Sequence, residues 1–321
     1  MSITYKNLKE LEYFNFTEED LAYRFVPLFP IYNDGWEMYI DTEKGFIPLN
    51  IVDRSDGFYI AKETIKDTDL KLTFFDLMYK RINYKENIIP LNHIYDDIYN
   101  LLASIEKINF FSEIYKREEH FRLSKYASVE LEAIFQNCRA IFENLQIIQN
   151  NLMAMIISAN DDFFSINKIQ YEKNFTLKEY IKKYKIPEVL AKFYVRVQEF
   201  FFFVLDMRND IFHSRKSFKL FLGDEGFSIS LKDYNLESLH FWDDDNTLKN
   251  DLGSVKALIA YITLNTINTL EEYAMTISSI IQLPNDILPN YNIYVRSEFN
   301  ETLKQLHTYV DDNAWNKNEA K

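Results

Sequence analysis

The chain has 321 residues, 47% of them hydrophobic, so it can bury a substantial core in one or two domains. Its 49 acidic side chains outnumber 36 basic ones, and the formal charge of −13 opposes indiscriminate binding to nucleic-acid phosphates or anionic membranes. The single cysteine, Cys138, excludes an intrachain disulfide framework and a cysteine-based zinc cluster. The first residues lack the basic start of a signal peptide, and the most apolar run, 193–207, is too short and too charged to cross a bilayer. We therefore expect a cytoplasmic protein without a membrane partner.

Residues 1–90 are expected to form a small unit of mixed α/β or β-rich structure. Gly35, Gly45 and Gly57 separate the short runs WEMYI, FIPLNIV and FYIA. Apolar runs of this length between turn residues are typical of strands. The periodicity that indicates long helices begins only after this unit.

Long amphipathic helices are predicted in the middle of the chain. Apolar residues recur at helical spacing over 94–115, and they form a continuous stripe over about 126–157. The same spacing predicts a helix over about 253–281, which Pro284 ends. These helices indicate a bundle over residues 91–283.

Local signals mark the start of two further helices. Thr176 and Glu179 match the capping box, in which hydroxyl and carboxylate satisfy each other's backbone donors. Pro187 is expected to open the next helix, because proline in the first turn loses no hydrogen bond. This helix, the most apolar of the chain, is predicted to end at about His213.

A β-hairpin insertion is predicted near residues 217–232. FKLFL and FSISL alternate apolar and polar residues on either side of a glycine-bearing turn. Residues 284–321 are expected to be a C-terminal extension. Together these elements predict a mainly α protein, a helical bundle with an inserted hairpin and a small N-terminal unit.

Arg208 lies on the apolar side of the helix that is predicted to end at His213. At about 100° per residue, five apolar residues fall within about 60° of it, namely Val197, Phe201, Val204, Ile211 and Phe212. A guanidinium cannot lose its proton, so its burial is costly unless carboxylates or phosphates pair with it. Glu130 or Glu132 on the preceding long helix could be that partner, and so could a ligand.

A separate polar stripe on the same helix contains Glu199, Asp206, Asn209 and His213. Asn209 and His213 are four positions apart and can touch. Arg208 and His213 are about 140° apart on an ideal helix, so one helix cannot aim both at one atom unless the arginine wraps round or the helix end unwinds. The other way to bring them together is to pack two copies of the helix, which indicates a homodimer.

The string Arg208-Asn209-Asp210-Ile211-Phe212-His213 resembles the Arg-x(4–6)-His motif of the HEPN superfamily (higher eukaryotes and prokaryotes nucleotide-binding domains). In that family the motif lies late on a long helix of a helical bundle, and the domains commonly dimerise. Active members are metal-independent endoribonucleases of toxin–antitoxin, abortive-infection and antiviral systems. The resemblance covers residues 94–283 and implies a HEPN-like bundle, RNA as partner, a homodimer, and neither a cofactor nor a metal site.

The resemblance also implies roles for individual side chains. His213 would move protons between the ribose 2′-hydroxyl and the leaving 5′-oxygen, and Arg208 would stabilise the charged transition state. Asn209, the family's usual companion to the arginine, would orient the histidine or the phosphate. The side chains expected to bind substrate are Arg215, Lys216, Lys219 and Asp210.

Two other interpretations remain open from the sequence. In the first, Arg208 pairs with a core carboxylate, Asn209 caps, and His213 closes the helix C-terminus, so the protein is a non-catalytic nucleotide-binding or protein-interaction scaffold. In the second, the charge of −13 masks a basic partner, as in an antitoxin or immunity protein. An antitoxin or other regulatory partner is also conceivable for the ribonuclease itself.

Overall fold

The computed structural model describes residues 4–54, 56–117, 122–159, 168–213, 217–223, 226–239, 241–242, 247–248 and 250–306, without the side chains at 116–117, 156–159 and 212–213. More than half of these residues are helical, and two β-sheets accompany the helices. The fold is therefore mixed α/β. The prediction of a mainly α protein built on a HEPN-like helical bundle is wrong.

The elements follow one another in an order that mixes strands and helices along the whole chain. A 3-10 helix spans Leu8–Glu10. The strands are β1 Ile31–Tyr32, β2 Trp36–Thr42, β3 Gly45–Asn50, β4 Gly57–Ala61, β5 Leu220–Gly223, β6 Gly226–Ser230, β7 Thr247–Leu248, β8 Leu252–Ser254 and β9 Asn292–Arg296. The α-helices are α1 Thr73–Arg81, α2 Lys85–Arg117, α3 Arg122–Ala159, α4 Leu177–Tyr184, α5 Glu188–His213, α6 Val255–Ile280 and α7 Asn300–Leu306.

The chain divides into two compact units. The first unit consists of Met1–Leu91 and Leu270–Asn300, and the second of Asn92–Thr269 and Glu301–Lys321. Each unit contains one of the two sheets, and neither unit is a single continuous stretch of sequence. The chain must therefore complete most of its length before the first unit can be assembled.

The first unit is built on a five-stranded sheet of order β3-β2-β1-β4-β9. β1 and β4 pair in parallel, and the other neighbours are antiparallel. The three runs that predicted strands form β2, β3 and β4, as expected. β9 pairs with β4 over its whole length, from Asn292 opposite Ala61 to Arg296 opposite Gly57. No strand was predicted there, because the pairing depends on a partner more than 200 residues away.

A buried ion pair between Arg296 and Asp69 joins β9 to the rest of the first unit. The Arg296 Nη2 to Asp69 Oδ2 distance is 2.7 Å, and the two side chains are 3% and 1% exposed. The guanidinium also donates to the Arg54 carbonyl oxygen and lies 5.1 Å from the ring centres of Trp36 and Tyr59. Burial by itself would raise the pKa of the Asp69 carboxyl, but the hydrogen bonds from Arg296 and Tyr59 outweigh it and leave this pKa below its ordinary value.

The second unit contains the long helices and a four-stranded antiparallel sheet of order β5-β6-β8-β7. The predicted hairpin is present as β5 and β6, with Gly223 opposite Gly226. Ser128 on α3 donates to the Phe218 carbonyl oxygen at 2.8 Å, just before β5. A Cβ atom at Gly226 would lie 2.9 Å from Ser112 Oγ, so only glycine fits that close approach.

The predicted helix signals act as expected in the second unit. Thr176 and Glu179 form the complete capping box at the start of α4. α5 begins directly after Pro187 and ends at His213, as predicted. The apolar stripe predicted for α3 is buried, from Leu131 to Leu152. The predicted fold class was wrong because too few strands were predicted from the sequence. β7 and β8 were missed since they have two and three residues, too few to show an alternating pattern.

The Arg296–Asp69 pair generates a test of stability. Asp69→Asn keeps the shape but leaves the buried guanidinium with only Asp53, which is 62% exposed and 3.3 Å away, as an anion. We therefore expect the free energy of unfolding to fall by about 3 kcal/mol at pH 7, the lower end of the range for a broken buried pair. The folded-state pKa of Asp69 lies below the ordinary value of 3.8, so the pair stabilises the protein above that pH. As the pH falls through the folded-state pKa this contribution is lost, and the two proteins should converge. Urea unfolding between pH 2 and pH 7 measures both effects.

The control for this test is Lys9→Ala. Lys9 and Glu18 form an ion pair at 2.9 Å, but their side chains are 67% and 87% exposed. Solvent screens such a pair, so its loss should leave the urea midpoint unchanged within error. An Asp69→Asn protein as stable as the wild type at pH 7 would show that the buried pair does not hold β9 in place.

Candidate functional site

The motif residues lie in the last two turns of α5, and aromatic packing against α3 positions that helix. The Phe142 and Phe200 ring centres are 5.8 Å apart, and those of Phe135 and Phe203 are 6.0 Å apart. Phe142 comes after Phe135 on α3, but its partner Phe200 comes before Phe203 on α5. The two helices therefore run in opposite directions. The C-terminal end of α5 therefore lies beside the first half of α3.

Asn209 is the point at which two guanidinium groups meet. Its Oδ1 atom accepts a hydrogen bond from Arg208 Nη1 at 3.3 Å and another from Arg139 Nη1 of α3 at 3.2 Å. Arg208 and Asn209 are half-buried, and the Arg139 side chain is 25% exposed. Arg139 also donates from Nε to Glu143 Oε1 at 2.8 Å, one helical turn further along α3. We call Arg139, Arg208 and Asn209 the arginine cluster.

The electrostatics of the arginine cluster favour an anion. Two unit positive charges are held on either side of one oxygen atom that carries no formal charge. Glu143, the carboxylate that pairs with Arg139, is 54% exposed, so solvent weakens its field. The C-terminal carbonyl groups of α5 would by themselves repel an anion, which means that any anion bound here must be held by the guanidinium groups.

The carboxylates that the sequence suggested as partners of Arg208 lie on α3. Glu130 accepts hydrogen bonds from Lys107 through both of its oxygens, at 3.1 and 3.2 Å. Glu132 Oε1 is buried, and it makes no hydrogen bond within the described part of the chain. The Arg208 side chain donates a hydrogen bond to the amide oxygen of Asn209, its neighbour on α5.

The other predicted site residues fall in different places. His213 is the last residue of α5, and its side chain lies outside what the structure describes. Arg215 and Lys216 also lie outside the described residues. Asp210 is exposed on α5. Lys219 is exposed just before β5, where its backbone N–H donates to the Tyr234 hydroxyl at 2.8 Å.

Sequence reasoning missed Arg139. The partners expected for Arg208 were a carboxylate or a ligand, and a second cation beside it was not predicted. One local signal was available: Glu143 follows Arg139 by four positions, a spacing at which opposite charges pair on a helix. That spacing explains how Arg139 is held, but only the packing of α3 on α5 shows that it meets Asn209.

A surface cleft of about 450 Å³ in the first unit is a weaker candidate. Its cation, Arg24, is 8% exposed. The guanidinium donates to the carbonyl oxygens of Asp20 at 2.9 Å, Asn285 at 3.0 Å and Lys80 at 2.5 Å, and to Asn83 Oδ1 at 3.0 Å. Arg24 thus joins chain segments and has little capacity left for a ligand.

Cys138 is excluded as a nucleophile. It is fully buried on α3, and burial raises the pKa of its thiol to about 12. The reactive thiolate is therefore negligible at neutral pH. Asp97 of α2 has a pKa raised to about 6 by burial, although His93, one turn earlier, opposes the shift.

Comparisons with known proteins give no relative for this chain. No family model, no curated protein and no solved structure matches it. Within the described ranges, no group of three or more histidine, cysteine, aspartate or glutamate side chains is arranged to hold a metal ion. No helix in the described part of the chain is both long and apolar enough to cross a membrane.

The arginine cluster predicts an unusual effect of Asn209→Asp. The new carboxylate would stand between two guanidinium groups, so we expect the free energy of unfolding to rise by up to about 1 kcal/mol, the upper range for partly exposed ion pairs. The gain should shrink at 1 M salt, where charges are screened over about 3 Å. Urea unfolding at low and high salt measures it.

Asn137→Asp is the matched control. Asn137 lies on α3 two positions before Arg139, so its side chain is about 160° away round the helix. The same amide-to-carboxylate change there should not stabilise the protein. An Asn209→Asp protein less stable than the wild type would mean that the two guanidinium groups do not converge in solution.

Proposed function

We propose that the chain is a metal-independent endoribonuclease in which Arg208, Asn209 and His213 act on one phosphodiester. The observation that supports this proposal best is the convergence of Arg139 and Arg208 on Asn209, because paired guanidinium groups match the oxygens of a phosphate. The resemblance of the α5 sequence to the HEPN ribonuclease motif adds RNA as the substrate class. The mixed α/β architecture contributes nothing to the proposal, which rests on side-chain chemistry.

The proposed reaction is an attack of the ribose 2′-oxygen on the adjacent phosphorus. A P–O2′ bond forms and the P–O5′ bond breaks, which leaves a 2′,3′-cyclic phosphate and a 5′-hydroxyl. The proton of the 2′-hydroxyl is removed and a proton is delivered to the departing 5′-oxygen. His213 is suited to this transfer because an imidazole has an ordinary pKa near 6.5 and exchanges protons at neutral pH.

Arg208 and Asn209 have complementary parts in this proposal. Negative charge accumulates on the non-bridging oxygens of the transition state, and Arg208 donates hydrogen bonds to them with a charge that cannot be lost. Asn209, which lies four positions before His213 on α5, orients either the imidazole or the phosphate. Arg215, Lys216 and Lys219 would contact the flanking RNA backbone.

A homodimer through α5 belongs to the same proposal. Arg208 and His213 are five positions apart, about 140° round an ideal helix, so a second copy of α5 could supply the group that one copy cannot aim. Analytical ultracentrifugation measures whether the protein is a dimer in solution. Regulation by an antitoxin-like partner, and a place in a phage-defence or toxin–antitoxin system, follow from the family resemblance only.

A non-catalytic nucleotide-binding or protein-interaction scaffold is the second candidate. The contact that favours it is Arg139 to Asn209, because this hydrogen bond also joins α3 to α5 and so has a structural use. In a scaffold, the loss of Arg208 or Asn209 would weaken the fold and no cleavage would exist to be lost.

The deciding experiment is incubation of wild-type and His213→Ala protein with total RNA and a tRNA pool in EDTA. We expect the wild type to leave 2′,3′-cyclic phosphate ends and His213→Ala to lose at least about 100-fold in rate, the usual contribution of a general acid or base. The urea midpoint of His213→Ala should stay close to that of the wild type. The wild-type rate should change with pH near the imidazole pKa.

His93→Ala is the matched control, because His93 is an exposed histidine of α2. It should cleave at the wild-type rate. Equal cleavage by wild type and His213→Ala, or cleavage that EDTA abolishes, would contradict the proposal. Binding of RNA without cleavage by either protein would favour the scaffold.

A further inference from the structure

We infer that Arg139 of α3 is a second phosphate-binding residue, which holds the same phosphodiester as Arg208. This inference rests on the proposed function and extends it to a helix outside the α5 motif. Arg139 Nη1 and Arg208 Nη1 both donate to Asn209 Oδ1, at 3.2 and 3.3 Å. A phosphate beside Asn209 would therefore be within reach of both guanidinium groups.

Arg139 has hydrogen-bonding capacity left for a ligand. A guanidinium has five N–H donors. Nε donates to Glu143 and Nη1 to Asn209, while Nη2 has no hydrogen-bond partner among the described residues. The Arg139 side chain is 25% exposed, so a ligand can approach it from solvent. Its conformation is fixed from both sides, which lowers the entropic cost of binding.

The charge of the proposed reaction matches two cations better than one. A phosphodiester has one negative charge, and attack by the 2′-oxygen brings the phosphorane-like transition state close to two. Arg208 and Arg139 together supply two positive charges. They must also overcome the carbonyl dipoles at the C-terminal end of α5 and the formal charge of −13 of the whole chain. A single arginine would be poorly placed to do both.

Glu143 acts as the positioning residue for Arg139. Its carboxylate accepts from Nε at 2.8 Å and directs the remaining donors of the guanidinium towards Asn209. Glu143 is 54% exposed, so its negative charge is partly screened and does not cancel the field of Arg139 at the phosphate. The carboxylate would nevertheless repel a bound anion weakly.

The test is equilibrium binding of a short fluorescent RNA in EDTA, with all variants made in His213→Ala so that the RNA stays intact. We expect Arg139→Ala to weaken binding at least 10-fold and to reduce the slope of log affinity against log salt by about one, the signature of one lost phosphate contact. Arg139→Lys should recover part of the affinity, because the charge returns without the planar fork of donors.

Two further variants separate phosphate binding from a structural role. Arg122→Ala removes the same side chain from an exposed position on α3, about 25 Å along the helix from Arg139, and should bind RNA as before. Glu143→Gln removes the competing negative charge but keeps a hydrogen-bond acceptor, so it should bind RNA at least as tightly. If Arg139 were purely structural, Glu143→Gln and Arg139→Ala would shift the urea midpoint and leave the salt slope unchanged.

The outcomes for Arg139 and for the nuclease can be told apart. Unchanged RNA affinity and salt slope in Arg139→Ala, with cleavage by the protein that retains His213, would overturn the role of Arg139 and leave the nuclease standing. If Arg139→Ala reduces the affinity and the salt slope but the protein that retains His213 cleaves no RNA, the phosphate site is supported and the proposal of a nuclease is contradicted.

Discussion

The packing of α5 against α3 is the interaction on which the candidate site depends. Rings of phenylalanine from both helices interlock, and the pair Phe135 and Phe203 lies closest in sequence to the cluster. This packing brings Arg139 within hydrogen-bonding distance of Asn209, although 70 positions separate them in the chain. A shift of α5 by one helical turn, about 5.4 Å, would take the two side chains out of each other's reach.

Three arginine environments in the chain show how a structural guanidinium differs from one that is suited to a ligand. Arg296 is buried against the carboxylate of Asp69, and its charge is fully balanced. Arg24 is buried against carbonyl and amide oxygens, which occupy most of its donors. Arg139 pairs with the half-exposed carboxylate of Glu143 and shares the neutral oxygen of Asn209 with a second guanidinium, so two like charges are held close together. Functional sites commonly contain such local conflicts, because a ligand resolves them.

The corrected fold changes the grounds for the functional proposal. A mainly α bundle would have allowed an argument by architecture, and the mixed α/β structure removes it. The proposal therefore depends on three kinds of group near the end of α5: guanidiniums for phosphate charge, an amide for orientation and a histidine for proton transfer. The proposed ribonuclease and the proposed scaffold both use the arginine cluster, and His213 is the residue whose replacement distinguishes them.

The sequence by itself determined α3, α4, α5, α6 and most of α2, since helix signals act over a few residues, whereas the short helices α1 and α7 were not predicted. Pro187 and the apolar period predicted α5 from Glu188 to His213, and with it the order of the motif residues. Tertiary structure alone decided the mixed fold, because β9 has only five residues and becomes a strand by pairing with β4. It alone also decided that Arg139 belongs beside Asn209. The pairing of β9 and the contact of Arg139 with Asn209 are not encoded locally. Both are contacts between segments that are distant in the chain, and the free energy of such contacts comes from burial and pairing in the folded state.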